Sequence, residues 1–200
     1  MSWRNTYVAF DTETSGVDSS ARILEIAAVT FEDGKPVREY SQLINPGDLD
    51  FSNPDVMRAL EVNKLTPAML QGQPTFSDIL PDLEYELRTP VWVAHNFEFD
   101  LRMLLQEYNR LNRPIQLPTL RICTLHLAAY FSPAPVNKLA NVAERYGVVQ
   151  SDAHRAHVDA EVCGRILGRI ASSHPLPDDQ IAMTDLCKKA ENAWRSRRRR

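Results

Sequence analysis

Tyr7-Val8-Ala9-Phe10-Asp11-Thr12-Glu13-Thr14-Ser15-Gly16 is an apolar run that stops at two acids and a polar loop containing glycine. A short apolar segment entering such a loop reads as a buried strand. Asp11 and Glu13 stand two apart at its end, and residues at i and i+2 share one face of a strand. Two carboxylates on one face repel unless a cation sits between them. An all-oxygen site of this kind suits Mg²⁺ or Mn²⁺. A bare Asp-x-Glu is more often a solvated loop edge, so the pair needs company from elsewhere in the chain.

Outward from this strand the pattern continues. Ile23 to Phe31 is a second apolar run rich in β-branched residues, and Glu32-Asp33-Gly34-Lys35 is a hairpin turn signal. Lys35 to Ile44 reads as a third strand, stopped by Asn45-Pro46-Gly47, which makes an antiparallel meander. Residues 53 to 88 look helical in pieces punctuated by prolines 54, 67, 74 and 81, which favour first turns. Val91 to His95 is a fourth strand, followed by a helix with Asn96 as its expected N-cap and an apolar stripe of Leu101, Leu104, Leu105 and Tyr108. Arg121-Ile122-Cys123 is a short fifth strand. Helices are expected at Lys138 to Tyr146, stopped by Gly147, at Ala156 to Ile170, and at Thr184 to Arg195. The pattern predicts an α/β fold: one five-stranded mixed sheet flanked by helices on both faces.

Two further segments carry acids. His95-Asn96-Phe97-Glu98-Phe99-Asp100 lies where a strand meets a helix, with Asp100 in the first turn, where the dipole favours negative charge. His154-Arg155-Ala156-His157-Val158-Asp159 is the other. Inside one helix, His154 and Asp159 would stand about 140° apart around the axis and could not face one site. His154 is therefore expected on a loop before the helix, with Asp159 on the inner face.

The composition sets limits. The 200 residues are 44% hydrophobic and 24% charged, the balance of an ordinary soluble globular chain. No apolar stretch approaches a membrane span, and Met1 to Asn5 shows no secretory h-region. Three cysteines, 123, 163 and 187, without a Cys-x-x-Cys pair, argue against a disulfide framework or structural zinc and fit a reducing cytoplasm. They read as packing residues. The net charge is −3, yet Arg195-Ser-Arg-Arg-Arg-Arg200 holds five of the 23 basic residues. Setting those aside leaves 18 basic against 26 acidic residues, a body near −8. Such a body binds phosphate backbone poorly unless its site is neutralised by metal. The Arg run reads either as a disordered, solvated terminus or as an electrostatic handle.

Taken in order, Phe10-Asp11-Thr12-Glu13-Thr14-Ser15-Gly16, Ile23-Leu24-Glu25-Ile26-Ala27-Ala28-Val29, Ala94-His95-Asn96 with Phe99-Asp100, and His154 with Asp159 resemble the motifs of the DEDDh exonucleases. This is the superfamily of the proofreading subunit of bacterial replicative polymerases. The resemblance covers residues 6 to about 170, and Arg155 four before Asp159, in place of Tyr, marks the His branch.

The resemblance implies a ribonuclease-H-like fold and a 3′→5′ exonuclease that releases nucleoside 5′-monophosphates. It implies an exonuclease domain over residues 1–175 and a C-terminal helix with an Arg-rich tail over 176–200. Two divalent ions would be held by Asp11, Glu13, Asp100 and Asp159, with His154 taking the proton from the attacking water. Thr12, Thr14, Ser15, Val17, Asn63, Asn96 and Phe99 are the expected substrate contacts. Val17 stands where relatives commonly carry Leu, and Asn63 near a His that relatives often have.

Phe97 is a second candidate for base stacking, with core packing favoured for at least one of the two phenylalanines. Glu25, an acid in an apolar strand, needs a partner if buried. His126, His157 and His174 have no matching role.

The expected partner is the 3′ end of nucleic acid, DNA favoured over RNA, with no membrane. A homodimer and a polymerase or repair partner stay open. The alternatives are an RNA 3′-trimming enzyme or oligoribonuclease, and an inactive binding module.

Overall fold

A computed structural model describes residues 2–150 and 155–198. Strands β1 (Thr6–Thr14), β2 (Ile23–Glu32), β3 (Lys35–Leu43), β4 (Val91–Ala94) and β5 (Leu120–Cys123) form one sheet in the order β3-β2-β1-β4-β5. The β1–β2 and β2–β3 pairs are antiparallel, whereas β1–β4 and β4–β5 are parallel, so the sheet is mixed. The hairpin between β2 and β3 turns on Asp33 and Gly34, both at positive φ (48° and 76°), the left-handed pair that a two-residue turn requires.

Strand alternation distributes side chains to two cores. Tyr7 and Ala9 of β1, with Ala27, Val29 and Phe31 of β2, enter one core. Val8 and Phe10, with Ile26 and Ala28, enter the other. The first core is closed by α5 (Thr124–Phe131), α6 (Leu139–Arg145), α7 (Ala156–Ser173) and α8 (Gln180–Arg198). The second is closed by α3 (Phe76–Glu86) and α4 (Phe97–Arg110). Two smaller helices, α1 (Pro54–Val62) and α2 (Pro67–Leu70), lie beside the β1–β2 loop region over Leu24. The expected ribonuclease-H-like α/β architecture is the one observed.

Helix boundaries follow local chemistry. Pro54 and Pro67 open α1 and α2, each behind a side-chain cap from Asn53 or Thr66. Thr75 and Asp78 close a reciprocal capping box on α3. Pro81 departs from the expected first-turn role and sits inside α3.

Asn96 also departs. It occupies the N-cap position of α4 but is left-handed (φ 68°, ψ 47°), and its side chain caps nothing. Asn tolerates that backbone, and its carbonyl accepts instead from the Phe99 N–H at 2.8 Å. Helix α8 is longer at both ends than its sequence pattern suggests. Its residues Met183 and Ala190 are fully buried in the first core, and Trp3 and Arg4 donate to the carbonyls of Pro177 and Leu176 ahead of it.

Helix α7 lies close on the sheet because of Gly164. The Tyr7 hydroxyl donates to the Gly164 carbonyl at 3.1 Å, and a Cβ at position 164 would stand 2.2 Å from the Phe31 ring. Among the described residues, no helix is long and apolar enough to cross a membrane.

Candidate active site

The same alternation that splits the cores builds the site. Odd positions of β1 face α7, so Asp11 and Glu13 point to the layer that carries Asp159 in the first turn of α7. One carboxylate oxygen from each of these three residues lies within 4.8 Å of the other two. The even position between them, Thr12, faces α4. Its N–H and its hydroxyl both donate to Asp100 Oδ1, at 3.1 and 2.7 Å. Asp100 therefore reaches the strand end from the opposite helix layer. All four acids expected from sequence converge. His154 lies outside the described residues.

Burial and mutual repulsion dominate the electrostatics. Burial, and then the charges of Asp100, Glu13, Asp159 and Glu25, hold Asp11 well above the usual carboxylate range. Glu13 is pushed up to about 8 by burial and then by the charges of Asp159, Glu25 and Asp100, with Arg155 opposing. Burial raises Asp100 to about 7 against the opposing hydrogen bonds from Thr12. A site that resists ionisation this strongly is stabilised by either protons or cations. The all-carboxylate donor set fits hard divalent ions such as Mg²⁺ or Mn²⁺.

Behind the acids lies an ion pair that no local sequence pattern signals. Glu25, opposite Glu13 in the β1–β2 register, is fully buried. Arg155, the N-cap residue of α7, meets both of its oxygens at 3.1 to 3.4 Å. The acid in the apolar strand thus has its partner, and that partner anchors the start of the helix bearing Asp159. Gln150 was also missed from sequence. Its side-chain N–H donates to Asp159 Oδ1 at 2.6 Å.

The loop after β1 is tightly held. Ser15 and Arg22 exchange backbone and side-chain hydrogen bonds at 2.9 Å, and the Thr14 hydroxyl donates to the Gly16 carbonyl at 2.7 Å. Buried Glu107 of α4 clamps Arg22 at 2.8 and 3.1 Å. A cavity of about 490 Å³ opens between this loop and α1, lined in part by Thr14, Ser15, Val17, Val56 and Asn63.

Four expected substrate contacts therefore share one pocket. Val17 stands 71% exposed at its mouth, and Asn63 is buried inside it with its amide N–H given to the Thr14 carbonyl at 2.9 Å. Thr12 is withdrawn behind the acids, its hydroxyl spent on Asp100. Asn96 and Phe99 sit on the first turn of α4 and do not line this pocket. Phe99 is half-buried, with the Arg102 guanidinium 5.5 Å from its ring centre. Phe97 is core, edge-on to Phe10 at 5.6 Å.

The other histidines separate clearly. His95 is neutral: burial lowers it to about 4, and both ring nitrogens are engaged, Nε2 on the Asn137 carbonyl and Nδ1 on Thr124 Oγ1, each at 2.9 Å. Because a carbonyl only accepts, the proton sits on Nε2. His157 lines a groove with Val149, Glu161 and Arg165 that holds none of the four acids. His126 is buried near Trp194, and His174 stacks on Phe131 at 4.4 Å.

Residues 8–167 match the family model RNase_T, described as exonuclease. The DNA polymerase III subunit epsilon of Treponema pallidum is 33% identical over 172 residues, covering 84% of this chain and 77% of that protein. The same subunit from Aquifex aeolicus is 30% identical over 82% of this chain and 80% of that one. A PolC-type DNA polymerase III of Clostridium perfringens is 32% identical over 83% of this chain, which spans only 11% of that longer protein. Among solved structures, exonuclease X in complex with 5′ overhanging duplex DNA aligns with TM-score 0.70 and 27% identity, over 90% of this chain and 99% of that one.

Proposed function

The chain belongs to the exonuclease family whose model spans its residues 8–167, and from that premise we propose that it is a 3′→5′ exonuclease acting on single-stranded DNA ends with two divalent cations. The observation that carries this reading is the trio Asp11, Glu13 and Asp159, with ligand oxygens within 4.8 Å of one another and Asp100 braced beside them. In this reading all four acids hold metal. When bound, two divalent cations neutralise the acids and stabilise charge on the attacking and leaving oxygens of an in-line displacement.

The residues of the chain do the rest. Thr12 holds Asp100 in place, and Arg155 neutralises Glu25 behind Glu13. The pocket of Thr14, Ser15, Val17 and Asn63 receives the terminal nucleotide and sets its phosphodiester against the acids. His154 accepts the proton from the attacking water. A P–O bond forms to that water, the P–O3′ bond breaks, the leaving O3′ takes a proton from solvent, and the shortened strand leaves with a 3′-hydroxyl beside a nucleoside 5′-monophosphate.

DNA is favoured as substrate because the similar proteins include DNA polymerase III subunits and an exonuclease bound to overhanging duplex DNA. The same likeness suggests a polymerase partner and work in the cytoplasm on replicating or damaged DNA. DNA and RNA oligomers labelled at the 5′ end, incubated with Mg²⁺, Mn²⁺ or EDTA, test the reading. The expected result is a ladder shortening from the 3′ side of DNA, abolished by EDTA and slowed by a 3′-phosphate. Full activity in EDTA or immediate release of the 5′-terminal nucleotide would overturn it, and preference for RNA would move the substrate to RNA ends.

A further inference from the structure

The densest run of basic residues in this acidic chain is at its C-terminal end, and the fold places those up to residue 198. Five of 23 basic residues lie in 195–200. The last turn of α8 is fastened on two sides. Arg195 pairs with Glu98 of α4 at 2.5 Å and with Glu191 of its own helix at 2.6 Å. Arg197 donates to the Ala129 carbonyl of α5 at 2.5 Å.

Glu98 stands two residues before Asp100 on the first turn of α4. The two acids stand about 160° apart around the helix axis, so Arg195 lies across the first turn of α4 from Asp100. Helices α4 and α5 both start where parallel strands β4 and β5 end, the edge at which β1 delivers Asp11 and Glu13. Arg195, through Glu98 in the first turn of α4, is therefore seated at the active-site edge of the sheet, and Arg197 reaches Ala129 further along α5.

Two features point to a ligand at this surface. Cations at a helix C-terminus are favoured by the dipole, but that accounts for one or two charges and not for a crowded run. Arg197 and Arg198 are exposed, and among the described residues neither has a carboxylate within ion-pair distance. The same surface carries aromatic faces. Arg198 lies 5.8 Å from the ring centre of half-buried Trp194, and Tyr130, next to Ala129, is 38% exposed. Exposed guanidinium groups with aromatic rings nearby suit single-stranded nucleic acid, binding phosphates by charge and bases by stacking.

We propose that Arg197, Arg198 and Trp194 form a second contact that grips the strand on the 5′ side of the scissile bond, within a few nucleotides of it. This rests on the exonuclease reading above. The contact offsets the repulsion between the acidic body and the substrate backbone, and it acts on long substrates only.

The test compares the full chain with the double variant Arg197→Gln/Arg198→Gln and with Arg197→Lys/Arg198→Lys. Substrates are an oligothymidylate of about 20 nucleotides and a dinucleotide. For the long oligomer, the Gln variant should raise KM about three- to tenfold, and the fall of log kcat/KM with log salt should become shallower by about 1 to 1.5, near 0.7 per lost phosphate contact on single strands. The Lys variant should keep the parental slope, and dinucleotide cleavage should be equal in all three. Unchanged KM and salt slope for the long oligomer, or an equal loss on the dinucleotide, would overturn the proposal.

If the parent cleaves nothing, the exonuclease reading fails by itself. The contact is then judged by fluorescence anisotropy of the same oligomer in EDTA. Weaker, less salt-dependent binding by the Gln variant supports it, and equal binding by variant and parent overturns it.

Discussion

Arg155→Met should destabilise the protein by about 2 to 4 kcal/mol, and removing its partner as well should restore much of the loss. Glu25 is 0% exposed and opposes Glu13 across the β1–β2 pair, so its carboxylate has no route to water. Its strong contacts are the Arg155 bonds at 3.1 to 3.4 Å, with the Ser41 hydroxyl at a weak 3.4 Å. Breaking a buried pair from one side leaves an uncompensated charge, typically costing about 3 to 5 kcal/mol. The Arg155 side chain is 31% exposed, so water screens part of the attraction and lowers the expected cost. Glu25→Gln/Arg155→Met removes both charges and should be much less destabilised than Arg155→Met, with a coupling energy of about 2 kcal/mol in a double-mutant cycle. Urea unfolding of metal-free protein measures this, with the slope held constant as evidence that only stability changed. A midpoint for Arg155→Met indistinguishable from the parent, or strict additivity in the cycle, would refute the role given to this pair.

Other outcomes follow from the same geometry. Glu13 keeps its proton in the metal-free fold up to about pH 8, while an unfolded glutamate loses it near 4.5, and Asp100 is raised from 3.8 to about 7. Between those values the native state holds more protons, so metal-free stability should fall as pH rises through this window. Mg²⁺ should stabilise increasingly over the same window, and a metal-free Tm that climbs with pH would contradict the assignment. Asp11→Asn should abolish cleavage yet raise the metal-free Tm near neutral pH, since it relieves repulsion among the acids; a large drop in Tm would refute that. His154→Ala should lose about 10² to 10⁴ in kcat, while His157→Ala stays close to the parent, as its groove holds none of the acids; the reverse order in steady-state assays would move the base to His157. Gly164→Ala places a Cβ 2.2 Å from Phe31, which is buried and stacked on Tyr7 at 5.0 Å. The overpacking should cost about 1 to 3 kcal/mol in urea melts, and an unchanged midpoint would mean α7 can lift from the sheet freely.

Much of this protein was legible from local pattern. The five strands, their mixed sheet and the helices before Gly147 and after Arg155 follow from periods of two and 3.6, which each segment carries in itself. The convergence of Asp11 with Glu13 follows from the same alternation. Helix α5 was not foreseen, because Thr124–Phe131 is apolar almost all round and follows β5 without a break, so no amphipathic stripe announces it. The Arg-rich segment reads from sequence as either a solvated tail or an electrostatic handle, and its described part is the last turn of α8, fastened to Glu98 and Ala129.

What only the tertiary structure decided is how groups far apart in the chain are paired. Strand alternation sends Asp11 and Glu13 to one helix layer and Thr12 to the other, so the Thr12 hydroxyl donates to Asp100. Asn63 gives its amide N–H to Thr14, and Glu25 meets Arg155 across 130 positions of sequence. No local periodicity encodes such partners. They are fixed when two helix layers close on the sheet and each buried polar group must find its counterpart among those that the packing brings within reach.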